Sequence, residues 1–133
     1  MSAAAPAPQV PQTPMALECR ECGKHYPVAP LSICEDCYGP LEPAYDLEAI
    51  DGMEFRKQVE NGPASLWRYQ PLLPALGVDK VDLGAGFTPL RRADNLGRAL
   101  GIRNLWIKDD SVNPSNSFKD RVVSVALTMA RAF

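Results

Sequence analysis

Apolar residues are spaced unevenly along the chain, and their spacing divides it into a short opening, a cysteine-bearing stretch and a longer portion that mixes helical and strand character. The clearest helical period comes last, where Val122, Ala126, Met129 and Phe133 recur at i, i+4, i+7 and i+11. That spacing predicts a helix from Phe118 onward, with one stripe packed against a sheet. Just before it, Asn104-Leu105-Trp106-Ile107-Lys108-Asp109 has the look of a buried strand. Asp94 to Gly101 reads as a short helix with Leu96 and Leu100 on one face and Gly101 as its C-cap, and Pro89 to Arg92 as a short strand. The glycines of Gly84-Ala85-Gly86 mark a turn ahead of it. Further upstream, Asp51 to Asn61 is weakly amphipathic and ends at Gly62-Pro63, and Ser65 opens a second helical start that Pro71 cuts short.

The junction between the strand pattern and the last helix is Asn113-Pro114-Ser115-Asn116-Ser117-Phe118-Lys119-Asp120-Arg121. Pro114 and the Asn and Ser residues keep it irregular, and Ser117 followed three residues later by Asp120 predicts an N-cap and a capping box. Lys119 then falls in the first helical turn, where the helix dipole favours a neutral amine over an ammonium. A neutral lysine is a nucleophile able to condense with an aldehyde cofactor. From residue type alone, a solvated surface lysine is the commoner outcome.

Composition narrows the field. The chain has 133 residues, 46% of them apolar, which is enough for one ordinary core. A formal charge of −2 supplies no basic field for nucleic acid or an anionic membrane. No apolar run approaches the roughly 18 residues of a membrane span. Met1 to Pro8 lacks the basic and leucine-rich regions of a secretory signal, so a cytoplasmic location is expected. With Pro6, Pro8, Pro11 and Pro14, residues 1–15 read as a disordered Ala/Pro-rich tail.

Four cysteines in a reducing compartment favour metal over disulfides. Cys19-Arg20-Glu21-Cys22 and Cys34-Glu35-Asp36-Cys37 are two Cys-x-x-Cys pairs with eleven residues between them. Each suits a tight knuckle, and two knuckles together offer the four thiolates of a tetrahedral zinc site, with iron the lesser alternative. Residues 16–42 therefore read as a zinc-ribbon-like segment, bridged by short strands at Tyr26-Pro27-Val28 and Leu31-Ser32-Ile33. About 25 residues cannot bury enough apolar surface to fold unaided, so the metal is expected to be structural. His25, the only histidine, is expected to stand outside the ligand set.

The string from Asn113 to Arg121 resembles the active-site segment of fold-type II pyridoxal-phosphate enzymes, the tryptophan synthase β-like class. Together with Leu105-Trp106-Ile107-Lys108-Asp109-Asp110-Ser111 and Gly86-Phe87-Thr88-Pro89-Leu90 it is most similar to the threonine synthase family. That resemblance implies an α/β fold in which residues 43–133 are an incomplete amino-terminal part of the catalytic domain. It implies pyridoxal 5'-phosphate held by Lys119 as an internal Schiff base, with Phe118 packed beside the cofactor. The implied reaction converts O-phospho-L-homoserine and water into L-threonine and phosphate. It also implies that the cofactor's phosphate cup and ring-nitrogen partner lie beyond Phe133. The expected partner is a small amino-acid phosphate, with neither nucleic acid nor membrane, and self-association is open for the full-length protein. Two alternatives stand beside it: another fold-type II lyase of the cysteate synthase or threonine dehydratase type, and a zinc-ribbon interaction module without catalysis.

Overall fold

The structure, a computed structural model, describes residues 16–74 and 77–133. The tail expected at residues 1–15 lies outside them. Among the described residues, five strands and three α-helices form a mixed α/β arrangement, and the paired strands are antiparallel.

The cysteine-bearing unit is a three-stranded sheet in the order β2, β1, β3, from β1 (Ala16–Cys19), β2 (His25–Tyr26) and β3 (Leu41–Ala44). Leu17 faces Tyr26 on one side and Pro43 on the other. The strand expected at Leu31 to Ile33 reduces to a single bridge between Ile33 and Pro40. Leu17, Cys19, Tyr26 and Cys34 form its small core, with Leu41 against it. Half of that core's side chains are metal-ligand types, so apolar burial alone gives this unit little stability.

Helix α1 (Gly52–Asn61) starts where Asp51 accepts from the amides of Met53 and Glu54 at 2.9 and 3.2 Å. A 3-10 segment follows at Leu66–Leu72, capped by Ser65 and containing Pro71. Strands β4 (Leu90–Arg92) and β5 (Trp106–Lys108) form a two-stranded ribbon flanking α2 (Asp94–Leu100), which ends at Gly101 in the left-handed region. The strand at β5 forms as predicted, yet Trp106 is 50% exposed and Ile107 is also exposed, because no third strand among the described residues covers the ribbon.

The last helix, α3 (Lys119–Ala132), reverses the expected facing. Val122 is 62% exposed, and the buried positions are Asp120, Ser124 and Thr128, at i, i+4 and i+8. These residues face an irregular segment instead of a sheet. Ser124 Oγ donates to the Val81 carbonyl at 2.5 Å and accepts from Trp67 Nε1 at 3.1 Å. Thr128 Oγ1 accepts from the Val81 amide at 2.9 Å and donates to the Ser124 carbonyl at 2.8 Å. Two hydroxyls thus satisfy both main-chain groups of Val81, which has no strand partner of its own. Small polar side chains win this face because larger apolar ones would leave Val81 and the Trp67 indole unpaired.

Candidate cofactor and metal sites

The two cysteine knuckles have one geometry. In the first, the Gly23 amide donates to the Cys19 carbonyl at 2.9 Å, and the Cys19 amide to the Lys24 carbonyl at 2.8 Å. In the second, the Tyr38 amide donates to the Cys34 carbonyl at 3.1 Å, and the Cys34 amide to the Gly39 carbonyl at 2.8 Å. Gly23 and Tyr38, at φ 72° and 60°, make the same left-handed step after each pair. Facing each other, the knuckles bring the four sulfurs of Cys19, Cys22, Cys34 and Cys37 within 4.8 Å of one another. Cys19 Sγ and Cys37 Sγ are 3.4 Å apart, and Cys22 Sγ and Cys34 Sγ 3.7 Å. Tetrahedral sulfurs about 2.3 Å from a zinc ion would stand about 3.8 Å apart, so the donor set fits such an ion. His25 is exposed on β2 and outside the cluster.

A hydroxyl supports the cluster. Tyr26 Oη lies 3.1 Å from Cys34 Sγ, and this contact, with the backbone amides of Cys37 and Asp36, holds the Cys34 thiol down to about 6 against the opposing effect of burial. At Cys37 the Gly39 amide likewise lowers the thiol, but the sulfurs of Cys19 and Cys22, with desolvation, outweigh it and push the thiol up to about 12. Four thiolates this close cannot all ionise without a cation between them. Lys24 braces the knuckles by pairing with Asp36 at 2.8 Å. Gly39 is buried against the site, where a Cβ would stand 3.0 Å from Cys19 Sγ and 2.7 Å from Glu21 Cγ.

Lys119 is the first residue of α3, exposed, with its Nζ 4.9 Å from the centroid of the exposed Phe118 ring. Among the described residues no carboxylate pairs with it. The expected capping box does not form. Phe118 occupies the cap position in helical conformation, and Ser117 Oγ accepts only from the Lys119 amide, at 3.2 Å. The Asp120 carboxylate turns away to accept from the Ser115 amide at 2.7 Å and from the Ser115 hydroxyl. Those two bonds hold it below the usual carboxylate range and tie the loop to the helix.

The loop is held from below by Asn113, buried at the junction, whose Oδ1 accepts from the Gly86 amide at 2.9 Å and whose Nδ2 donates to the Asp110 carbonyl at 2.9 Å. Gly86 sits at φ 86° and so close to Leu66 that a Cβ would lie 2.9 Å from its amide nitrogen, which is why glycine stands there. Arg121 forks onto Asp110 at 2.5 and 3.0 Å, and Thr88 donates to the same carboxylate at 2.6 Å. Arg121 and then Thr88 hold the Asp110 carboxyl at about 2. Lys108 Nζ donates to the Thr88 carbonyl. Thr88, Lys108 and Arg121 of this network line an open cleft of about 530 Å³ together with Arg68, which stacks 4.4 Å over the Phe87 ring. Nothing in the local sequence pattern marks Arg121, the Tyr26 hydroxyl or Gly39 as groups of these sites. Their signal is distance in the fold, since Tyr26 meets Cys34 across eight positions of chain.

Residues 81–132 match the family described as Pyridoxal-phosphate dependent enzyme. The chain is 38% identical over 117 residues to a threonine synthase of Methanocaldococcus jannaschii, covering 87% of this chain and 29% of the relative. It is 36% identical over 115 residues to a threonine synthase of Methanosarcina acetivorans, covering 86% of this chain and 28% of the relative. It therefore spans less than a third of the length of the curated relatives it matches. No solved structure matches it significantly. The resemblance carried by Gly86 to Leu90 and Asn113 to Arg121 is borne out. Among the described residues no helix is long and apolar enough to cross a membrane.

Proposed function

We propose that this chain, a relative of threonine synthases whose residues 81–132 match the pyridoxal-phosphate dependent enzymes, is the lysine-bearing part of a cytoplasmic threonine synthase. The whole protein would convert O-phospho-L-homoserine and water into L-threonine and phosphate. The observation that carries this reading is the coincidence of the family match with Lys119 at the first position of α3, exposed and unpaired with any carboxylate of the described residues. When bound, pyridoxal phosphate supplies an electron sink for charge developing beside the substrate's amine-bearing carbon.

The chain's own residues have distinct tasks in that reading. Lys119 would hold the cofactor through its side-chain amine, and the same amine is the group placed to take up and return protons on the substrate carbons. Phe118, beside the amine, keeps water from one side of it. Asp120 and Asn113 set the position of the loop carrying both. The four cysteines hold a structural zinc ion, because four protein thiolates leave no open coordination position for chemistry.

Reduction with borohydride in the presence of pyridoxal phosphate is expected to leave a stable adduct on the peptide containing Lys119, and none in Lys119→Ala. An adduct confined to another lysine of the folded protein would overturn the assignment.

A further inference from the structure

A fifth polar atom reaches the four-sulfur cluster. Tyr26 Oη stands 3.1 Å from Cys34 Sγ, with Tyr26 7% and Cys34 0% exposed. The direction of this bond follows from its neighbour. The Glu35 amide, which can only donate, gives its proton to the same phenolic oxygen at 3.0 Å. One lone pair of that oxygen is thereby used, and its own proton is directed at the sulfur, which receives it as a thiolate. Lys24, with its Nζ 5.2 Å from the Tyr26 ring centroid and its ammonium on Asp36, holds the ring in place from outside. Among the described residues no other side-chain hydroxyl meets a sulfur of the cluster.

We propose that Tyr26 is a positioning residue of the metal centre, its hydroxyl donating to the metal-bound thiolate of Cys34 and so slowing loss of the ion. The inference rests on the zinc reading above. A divalent ion with four thiolates carries a net charge of −2, and a donated hydrogen bond draws charge off one sulfur, making it a poorer nucleophile and a poorer base. The metal–sulfur bond then survives electrophiles longer. Cys19 and Cys34 provide an internal comparison, since both are buried, at 1% and 0%, and only Cys34 has the phenol.

The test uses the full chain loaded with one equivalent of zinc, alongside Tyr26→Phe, which keeps the ring. The variant is expected to bind one equivalent still, with affinity lower by about 10 to 100-fold and correspondingly faster zinc transfer to a chromogenic chelator under N-ethylmaleimide. Cobalt loading should retain a tetrahedral spectrum with its sulfur-to-metal charge-transfer band displaced. Within the unmodified chain, substoichiometric N-ethylmaleimide should label Cys34 after Cys19, a comparison that does not depend on the variant folding. Equal zinc retention by the chain and its variant, or labelling of Cys34 before Cys19, overturns the role of Tyr26 alone. A wild-type chain that takes up no zinc overturns the metal centre and this inference with it.

Discussion

The inward face of α3 can be tested by removing one hydroxyl at constant volume. Thr128→Val keeps the side-chain shape at a position with no exposed surface, and removes the acceptor for the Val81 amide at 2.9 Å. That amide, on a half-buried residue, is left without its partner, which costs about 1 kcal/mol, the low end of the range for a buried orphan. The Ser124 carbonyl loses only an extra donor, since the helix ladder already serves it, so little is added. Ser124→Ala orphans two groups, the Trp67 indole and the Val81 carbonyl, and should cost about 2–4 kcal/mol. Both substitutions release the same residue, Val81, so the double variant should lose less than the sum of the two, by about 0.5–1 kcal/mol. Urea unfolding of the full chain followed by tryptophan fluorescence reads the effect, because Trp67 is buried within this contact. Val122→Ser on the exposed face is the control and should stay within about 0.5 kcal/mol. A control that destabilises as much as Thr128→Val would refute the reasoning and restore the apolar stripe as the packed face.

Two further outcomes follow from the same geometry. Asp110 is held at about 2 by Arg121 and Thr88, below the roughly 3.9 of an unfolded aspartate. Its lowered value means that the folded state favours the ionised form, so its stabilising contribution is complete above about pH 5 and is lost as the pH falls towards 2. Urea midpoints measured from pH 5 to 2 should therefore fall more steeply for the chain than for Asp110→Asn, and parallel curves would remove Asp110 from the account. Gly39→Ala should place its methyl against Cys19 Sγ and Glu21, lowering zinc affinity at least about tenfold by competition with a chelator. Unchanged affinity would mean that the knuckles approach less closely than described.

The features legible in the sequence were those decided within a few residues. The two cysteine knuckles repeat the same turn because a Cys-x-x-Cys pair needs only one local reversal to aim both thiolates at one point. Helices α1 and α2, with the Gly62-Pro63 end and the Gly101 stop, were likewise written in their termini. Ser117 and Asp120 had the spacing of a capping box, but Ser115 offered Asp120 two donors at once and took it.

What the sequence by itself determined is the chemical inventory and its order: four thiols in two matched turns, and a lysine where an irregular loop gives way to a helix. Those depend on residue identity and short spacing. The tertiary structure alone decided which face of α3 turns inward, that Arg121 closes on Asp110 and Thr88, and that Tyr26 reaches Cys34. The physical reason is that an unpaired main-chain group or carboxylate takes the nearest partner in space, and apolar periodicity carries no record of where such groups will be left.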